Sequence, residues 1–143
     1  MKRTLIILSL LAILLSCINL ESDTDELKVE TLLQTTQSWD GSELPSYPEG
    51  KPEISILKVS IPPHSELDLH KHEVINAGIL LAGNLTVITE NSDTLKMQTG
   101  DVLSEVVGTW HYGVNEGDEL AEIVVFYAGT AGAPLSIHTE KSE

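Results

Sequence analysis

Downstream of Lys51-Pro52 the chain breaks into seven short β-rich runs with no helical stretch between them, and no other feature narrows the fold as much. The runs are 54–61, 66–70, 74–81, 85–89, 94–97, 102–106 and 120–127, and most alternate apolar and polar residues. That period of two turns one strand face to a core and the other to water. The separators are turn chemistry: Pro62-Pro63-His64, Ala82-Gly83-Asn84, Glu90-Asn91-Ser92-Asp93, Thr99-Gly100-Asp101 and 115–118. Many short strands joined by tight turns predict an all-β antiparallel sandwich or barrel. Residues 27–33 fit a strand or a turn of helix equally well. Segment 38–50, rich in turn formers and carrying Trp39 and Tyr47, is expected to lie as a loop over the domain, closing a cavity mouth or pinning the N-terminal segment.

The N-terminus is of another kind. Met1-Lys2-Arg3 precedes the apolar stretch Leu5–Leu15, which is interrupted at Ser9 and is too short for a membrane span of about 20 residues. Leu14-Leu15-Ser16-Cys17 resembles the lipobox of bacterial lipoproteins, departing from it at Leu15, where that family prefers a smaller residue. The resemblance implies a signal peptide over 1–16 and a lipidated Cys17 as first residue. The chain has no second cysteine to offer Cys17 a disulfide partner. Residues 17–26 are acidic and poor in apolar side chains, so they read as a tether, leaving a single domain over 27–143. The expected location is extracytoplasmic, at the bacterial cell envelope, with the domain held to the membrane through Cys17.

Loss of Lys2 and Arg3 with the signal leaves 6 basic against 22 acidic side chains, a net charge of −16. Such a balance excludes nucleic acid as a partner and excludes binding to anionic lipid through a basic patch.

His70-Lys71-His72 places two imidazoles at i and i+2, on one face of a strand. Two such imidazoles can share a metal at about 2.1 Å each if a further ligand comes from another strand, and His111 is the candidate. The spacing around these residues resembles the two motifs of the cupin superfamily over most of the chain after the signal. On the first motif, G-x5-H-x-H-x3,4-E-x6-G, fall His64, His70, His72, Asn76 and Gly83; on the second, G-x5-P-x-G-x2-H-x3-N, fall Gly100, Val106, Gly108, His111 and Asn115. About fifteen residues of hairpin separate the motifs. The resemblance implies a double-stranded β-helix, the jelly-roll barrel, like that of small quercetin-dioxygenase-type cupins. It also implies one divalent transition metal on His70, His72 and His111.

Two departures from the motif bear on chemistry. His64 stands where the first glycine belongs, and histidine tolerates positive φ better than most residues. Asn76 stands where the family's glutamate gives a fourth ligand; its amide is expected to face the interior as a weaker donor through a neutral oxygen. Three neutral imidazoles leave the 2+ charge uncompensated and favour an anionic or chelating oxygen ligand. The ligand set resembles the three-histidine iron sites of cysteine dioxygenase and diketone-cleaving dioxygenase. Fe(II) is therefore the favoured metal, with Mn, Ni, Zn and Cu as alternatives that imidazole also suits.

The remaining expectations follow from parity and turn chemistry. Gly78 and Leu80 should share the inner face with Asn76, while Ile79 and Leu81 face away. Trp110 and Tyr112 should point away from His111 into core or rim. Glu105 is expected at the solvent, His138 likewise, and Asn115 as a turn residue bonding its own backbone. The resulting functional expectation is a metal-binding cupin lipoprotein with dioxygenase-like activity on a small oxygen-rich molecule. A non-catalytic small-molecule or sugar binder, a metal-dependent isomerase or lyase, and a barrel that has lost its metal are the alternatives. Dimerisation through a barrel face, common in the family, is expected to be compatible with it.

Overall fold

The computed structural model describes residues 27–139. The expected signal over 1–16, the expected tether over 17–26 and the expected lipidation at Cys17 lie outside those residues. Ten strands follow in order: β1 (Pro52–Ile61), β2 (Ser65–Glu66), β3 (His70–Lys71), β4 (Ile75–Ala82), β5 (Asn84–Thr89), β6 (Thr94–Gln98), β7 (Val102–Ser104), β8 (His111–Asn115), β9 (Ala121–Thr130) and β10 (Ile137–His138). Two sheets result, one ordered β1-β9-β4-β7 and the other β10-β3-β8-β5-β6, with β2 pairing β8. The strand ladders are antiparallel, and the architecture is the expected jelly-roll barrel.

The alternating pattern creates the core. Along β4, Asn76, Gly78 and Leu80 are buried, and along β5 Leu85, Val87 and Thr89 are. The two sheets thus enclose Ile61, Leu80, Leu85, Val87, Met97, Leu103, Ala121 and Ile123, with Val59 and Val125 packed against them. A register shift between Leu80 and Ala82 leaves Leu81 outside. Gly83 then turns the chain into β5 at φ +75°, where an added Cβ would lie 2.6 Å from the carbonyl oxygen of Leu120 and 2.9 Å from the Cα of Ala121. His64 adopts the positive φ expected of it, 54°.

Several expected elements are redrawn. Residues 27–33 form neither strand nor helix, and Leu32 and Leu33 are exposed, so their apolar pattern buries nothing. Run 66–70 is two separate two-residue strands, β2 and β3. Run 102–106 ends as a strand at Ser104, because the next residues are bonded across to other segments: the N–H of Glu105 donates to the carbonyl of Asn76, and Ser38 Oγ donates to the carbonyl of Glu105. β8 and β10 lie outside the seven runs read from the sequence.

Asn115 confirms its turn role and extends it. Its Nδ2 lies 2.9, 3.1 and 2.8 Å from the carbonyls of Ile61, Pro62 and Glu119, while its Oδ1 accepts from the N–H of Gly117. One fully buried amide thereby ties the end of β1 to the β8–β9 turn.

Candidate metal centre

His70 and His111 are direct partners across the β3–β8 ladder, and opposed residues on one face stand close together. His72 follows two residues after His70, held where its carbonyl accepts from the N–H of Gly108. The nitrogen donors of His70, His72 and His111 lie within 4.8 Å of one another, with ring centroids 4.5–5.0 Å apart. The structure thus brings together the three histidines that the spacing selected.

Hydrogen bonds set how these rings point. His70 Nδ1 bonds the carbonyl of Asp68 at 2.7 Å, His72 Nδ1 that of Leu135 at 2.7 Å, and His111 Nδ1 that of Thr109 at 2.9 Å. A carbonyl only accepts, so each Nδ1 carries the hydrogen and each Nε2 presents its lone pair. This is the outer bonding that metal-ligating histidines use to fix tautomer and ring orientation. His111 Nε2 is buried and has no hydrogen-bond partner among the described residues. An orphaned buried acceptor costs free energy unless something meets it, and a cation among three lone pairs is the partner that fits.

The three donors open into a cavity of about 80 Å³ lined by Asn76, Glu105, Tyr127 and apolar side chains including Leu67, Val87 and Val125. At about 10–15 Å³ per water-sized centre, that space admits only a few heavy atoms. Asn76 faces this interior as expected, its Nδ2 3.4 Å from the carbonyl of Val74.

Burial pulls His72 down to about 4 and lowers His70 in the same direction, more strongly than their carbonyl hydrogen bonds raise them; the neighbouring imidazoles add to the lowering. Both rings are therefore neutral and ready to ligate at neutral pH. Since an unfolded histidine titrates near 6.5, acid favours the unfolded chain. The stability of the metal-free protein is expected to be full above about pH 6.5 and to fall between about 6.5 and 4, by about 3 kcal/mol for His72 alone. Melting temperatures across that range should fall for the wild type and less for His72→Gln; parallel profiles would contradict this assignment.

Two residues join the site that sequence parity had not placed there. Glu105, expected at the solvent, is buried: its Oε1 accepts from Trp39 Nε1 at 2.8 Å and from the N–H of Val106 at 2.9 Å, and its Oε2 lies 3.8 Å from His111 Nε2. The available signal was its parity with the core residue Leu103. Tyr127 packs edge-on against His72 with centroids 5.4 Å apart, and burial, with the charge of Glu105, raises its phenol, which stays protonated as a donor. Trp39 pins rather than caps: its N–H donates to the carbonyl of Ser104, while Tyr47 is exposed. Trp110 is a rim residue, half-buried, with Lys71 Nζ 5.4 Å from its ring centroid. His138 is exposed and bonds Ser136, although β10 brings its ring within 5.7 Å of His70. His64 reaches Asp118 instead of the centre.

Residues 57–127 match the family described as Cupin domain. Those residues form a cupin domain. Among solved structures, the oxalate decarboxylase of Lactobacillus farciminis, in a formate complex, is similar at 27% identity with a TM-score of 0.54, over 62% of this chain and 27% of that one. The DMSP lyase of Ruegeria pomeroyi DSS-3 (19%, TM-score 0.54) covers 63% of this chain and is itself covered over 45%. The polyketide cyclase of Streptomyces resistomycificus (16%, TM-score 0.54) is similar over 66% and 65% respectively. At these identities the last two speak for the fold alone. This cupin spans about a quarter of the decarboxylase and under half of the lyase. None of the curated proteins matches the sequence.

Proposed function

We propose that this cupin is a mononuclear metalloenzyme, with one divalent transition metal on His70, His72 and His111 and Fe(II) favoured, acting on a small oxygen-rich organic anion by dioxygenase-like chemistry. The observation that carries the reading is the clustering of the three rings, whose ligand nitrogens lie within 4.8 Å of one another while each Nδ1 is tied to a carbonyl, which leaves each Nε2 as the free donor. A metal bound there supplies Lewis acidity and, as iron, a redox couple. The chain's own part is to select size through the apolar wall of a small cavity and to exclude bulk water. Tyr127 offers a protonated phenol beside the centre.

A non-redox reading of the same centre, as a decarboxylase or lyase, has one observation in its favour: the 27% identity to an oxalate decarboxylase. Metal analysis of untagged protein should find about one transition metal per chain. Oxygen uptake with short diketones, thiols and keto acids then supports the dioxygenase reading, and carbon dioxide release from oxalate without net oxygen uptake supports the second. Stoichiometric metal without turnover of any of these would leave a non-catalytic binder, and absence of metal from protein reconstituted with Fe(II), Mn(II) or Co(II) would sink the proposal.

The location is proposed on the lipobox-like Leu14-Leu15-Ser16-Cys17. Expressed in a bacterium with lipoprotein processing, the chain should fractionate with membranes and take up labelled palmitate, and Cys17→Ser should do neither. Unchanged fractionation of that variant would contradict the anchor. A homodimer through the outer face of β1 and β9 is supported by the exposed Ile54, Ile56 and Phe126, of which Ile56 and Phe126 are register partners.

A further inference from the structure

Position 76 carries an amide where the motif carries a carboxylate, yet the cavity is not without one. Glu105 comes from the segment just after β7, on the other side of the β4–β7 pairing from Asn76, and it is held at four points. Its N–H donates to the carbonyl of Asn76, its carbonyl accepts from Ser38 Oγ, and its Oε1 accepts from both Trp39 Nε1 and the N–H of Val106. Both donors to the carboxylate act on one oxygen, which fixes the direction of the other. That other oxygen, Oε2, lies 3.8 Å from the partnerless Nε2 of His111.

The separation fits a shared ion. At 3.8 Å the two atoms are too far apart to hydrogen-bond, and they are about as far apart as two donors that each stand about 2.1 Å from one metal. A buried carboxylate also needs a compensating charge, and among the described residues no lysine or arginine lines this cavity. A divalent ion among the histidines satisfies both the lone pair of His111 and the charge of Glu105.

We infer that Glu105 supplies the centre with the carboxylate that Asn76 has lost, its Oε2 serving as the fourth protein donor to the metal and Trp39 acting as the positioning residue that aims it. The inference rests on the metal reading of the three histidines and revises its charge: the protein presents three neutral donors and one anion. The site is thereby rewired, with the carboxylate moved from the first motif to the position before Val106 in the second.

Glu105→Gln is the decisive variant because the amide oxygen can still accept from Trp39 and Val106 while the amide nitrogen cannot ligate. Full chain stripped of metal is titrated with Co(II) against a competing chelator, and the visible spectrum of the bound Co(II) is recorded. The wild type should bind one ion. Glu105→Gln should bind at least about 10–100-fold more weakly, the loss already seen when only outer-shell partners are removed, with a shifted visible band. Trp39→Phe, which keeps the carboxylate and loses its aim, should fall in between. Binding within threefold of wild type with an unchanged spectrum in Glu105→Gln would overturn the inference while leaving the three-histidine centre standing. Failure of the wild type itself to bind Co(II) would overturn both. If Glu105→Gln does not fold, Glu105→Asp, which keeps the charge but shortens the reach, decides by the same spectrum: unchanged, it refutes ligation.

Discussion

Replacing His111 with alanine is expected to abolish stoichiometric metal binding while leaving a folded apoprotein. Of the three imidazoles it is the most enclosed, and it alone has a buried Nε2 with no hydrogen-bond partner among the described residues. Its loss removes one ligand outright, so affinity should fall by well over the 10–100-fold typical of outer-shell changes. Metal at a thousandfold over its dissociation constant stabilises a folded protein by about 4 kcal/mol, and that increment should vanish from the variant. The apoprotein itself should lose some stability to the cavity left by a fully buried ring but stay folded, since its polar losses and gains nearly balance. The variant gives up one hydrogen bond, from Nδ1 to Thr109, worth about 1 kcal/mol, and is relieved of an unsatisfied acceptor worth a comparable amount. Differential scanning calorimetry with and without Co(II), run on wild type and variant, separates the two effects. A variant that still gained the wild-type increment would show that His111 is a packed core residue and not a ligand.

Gly83→Ala is expected to be strongly destabilising for so small a change of side chain. The site fails twice: its φ of +75° disfavours any Cβ, and the added carbon would stand 2.6 Å from the carbonyl oxygen of Leu120 and 2.9 Å from the Cα of Ala121. Both obstacles are backbone, so no side-chain rotation relieves them. The left-handed backbone alone costs about 1–2 kcal/mol, and the forced displacement of the start of β9 should bring the total to about 3 kcal/mol or more. For a domain of this size that is a fall of roughly 10 °C or more in melting temperature. Ala121, fully buried beside the clash, transmits it to the core. Gly100→Ala makes the matched control: its φ is also positive, 95°, but nothing lies within 4 Å of the added carbon. Equal melting temperatures for the two variants would show that strain alone, and not the approach of Leu120, governs the position.

The strands that sequence periodicity found are those whose buried faces are apolar. β4 and β5 announce themselves through Leu80, Leu85 and Val87, and the turns between them through glycine and asparagine. β8 went undetected for the reason that makes it functional. Its buried face is His111, Gly113 and Asn115, a ligand, a residue packed against Leu67 and Leu85, and a structural amide, so there is no hydropathy to alternate. The histidines were legible because ligand spacing survives as a motif. Glu105 was not, since a lone carboxylate in a β-run is ordinarily solvated and only the bonds from Trp39, 66 residues away, reveal that it is turned inward. Asn76 marked a missing charge; which residue restores it is information carried by tertiary contact.

That bond between Trp39 and Glu105 also makes the molecule its own optical gauge. The chain has only two tryptophans, and one of them donates its indole hydrogen to the carboxylate nearest the imidazole cluster. Indole emission responds to the field of a charge placed at the pyrrole nitrogen, so any event that draws electron density from Glu105 should be written into the colour and intensity of Trp39. Trp110, at the rim over Lys71, is the other emitter, and Trp110→Phe leaves the signal of Trp39 alone.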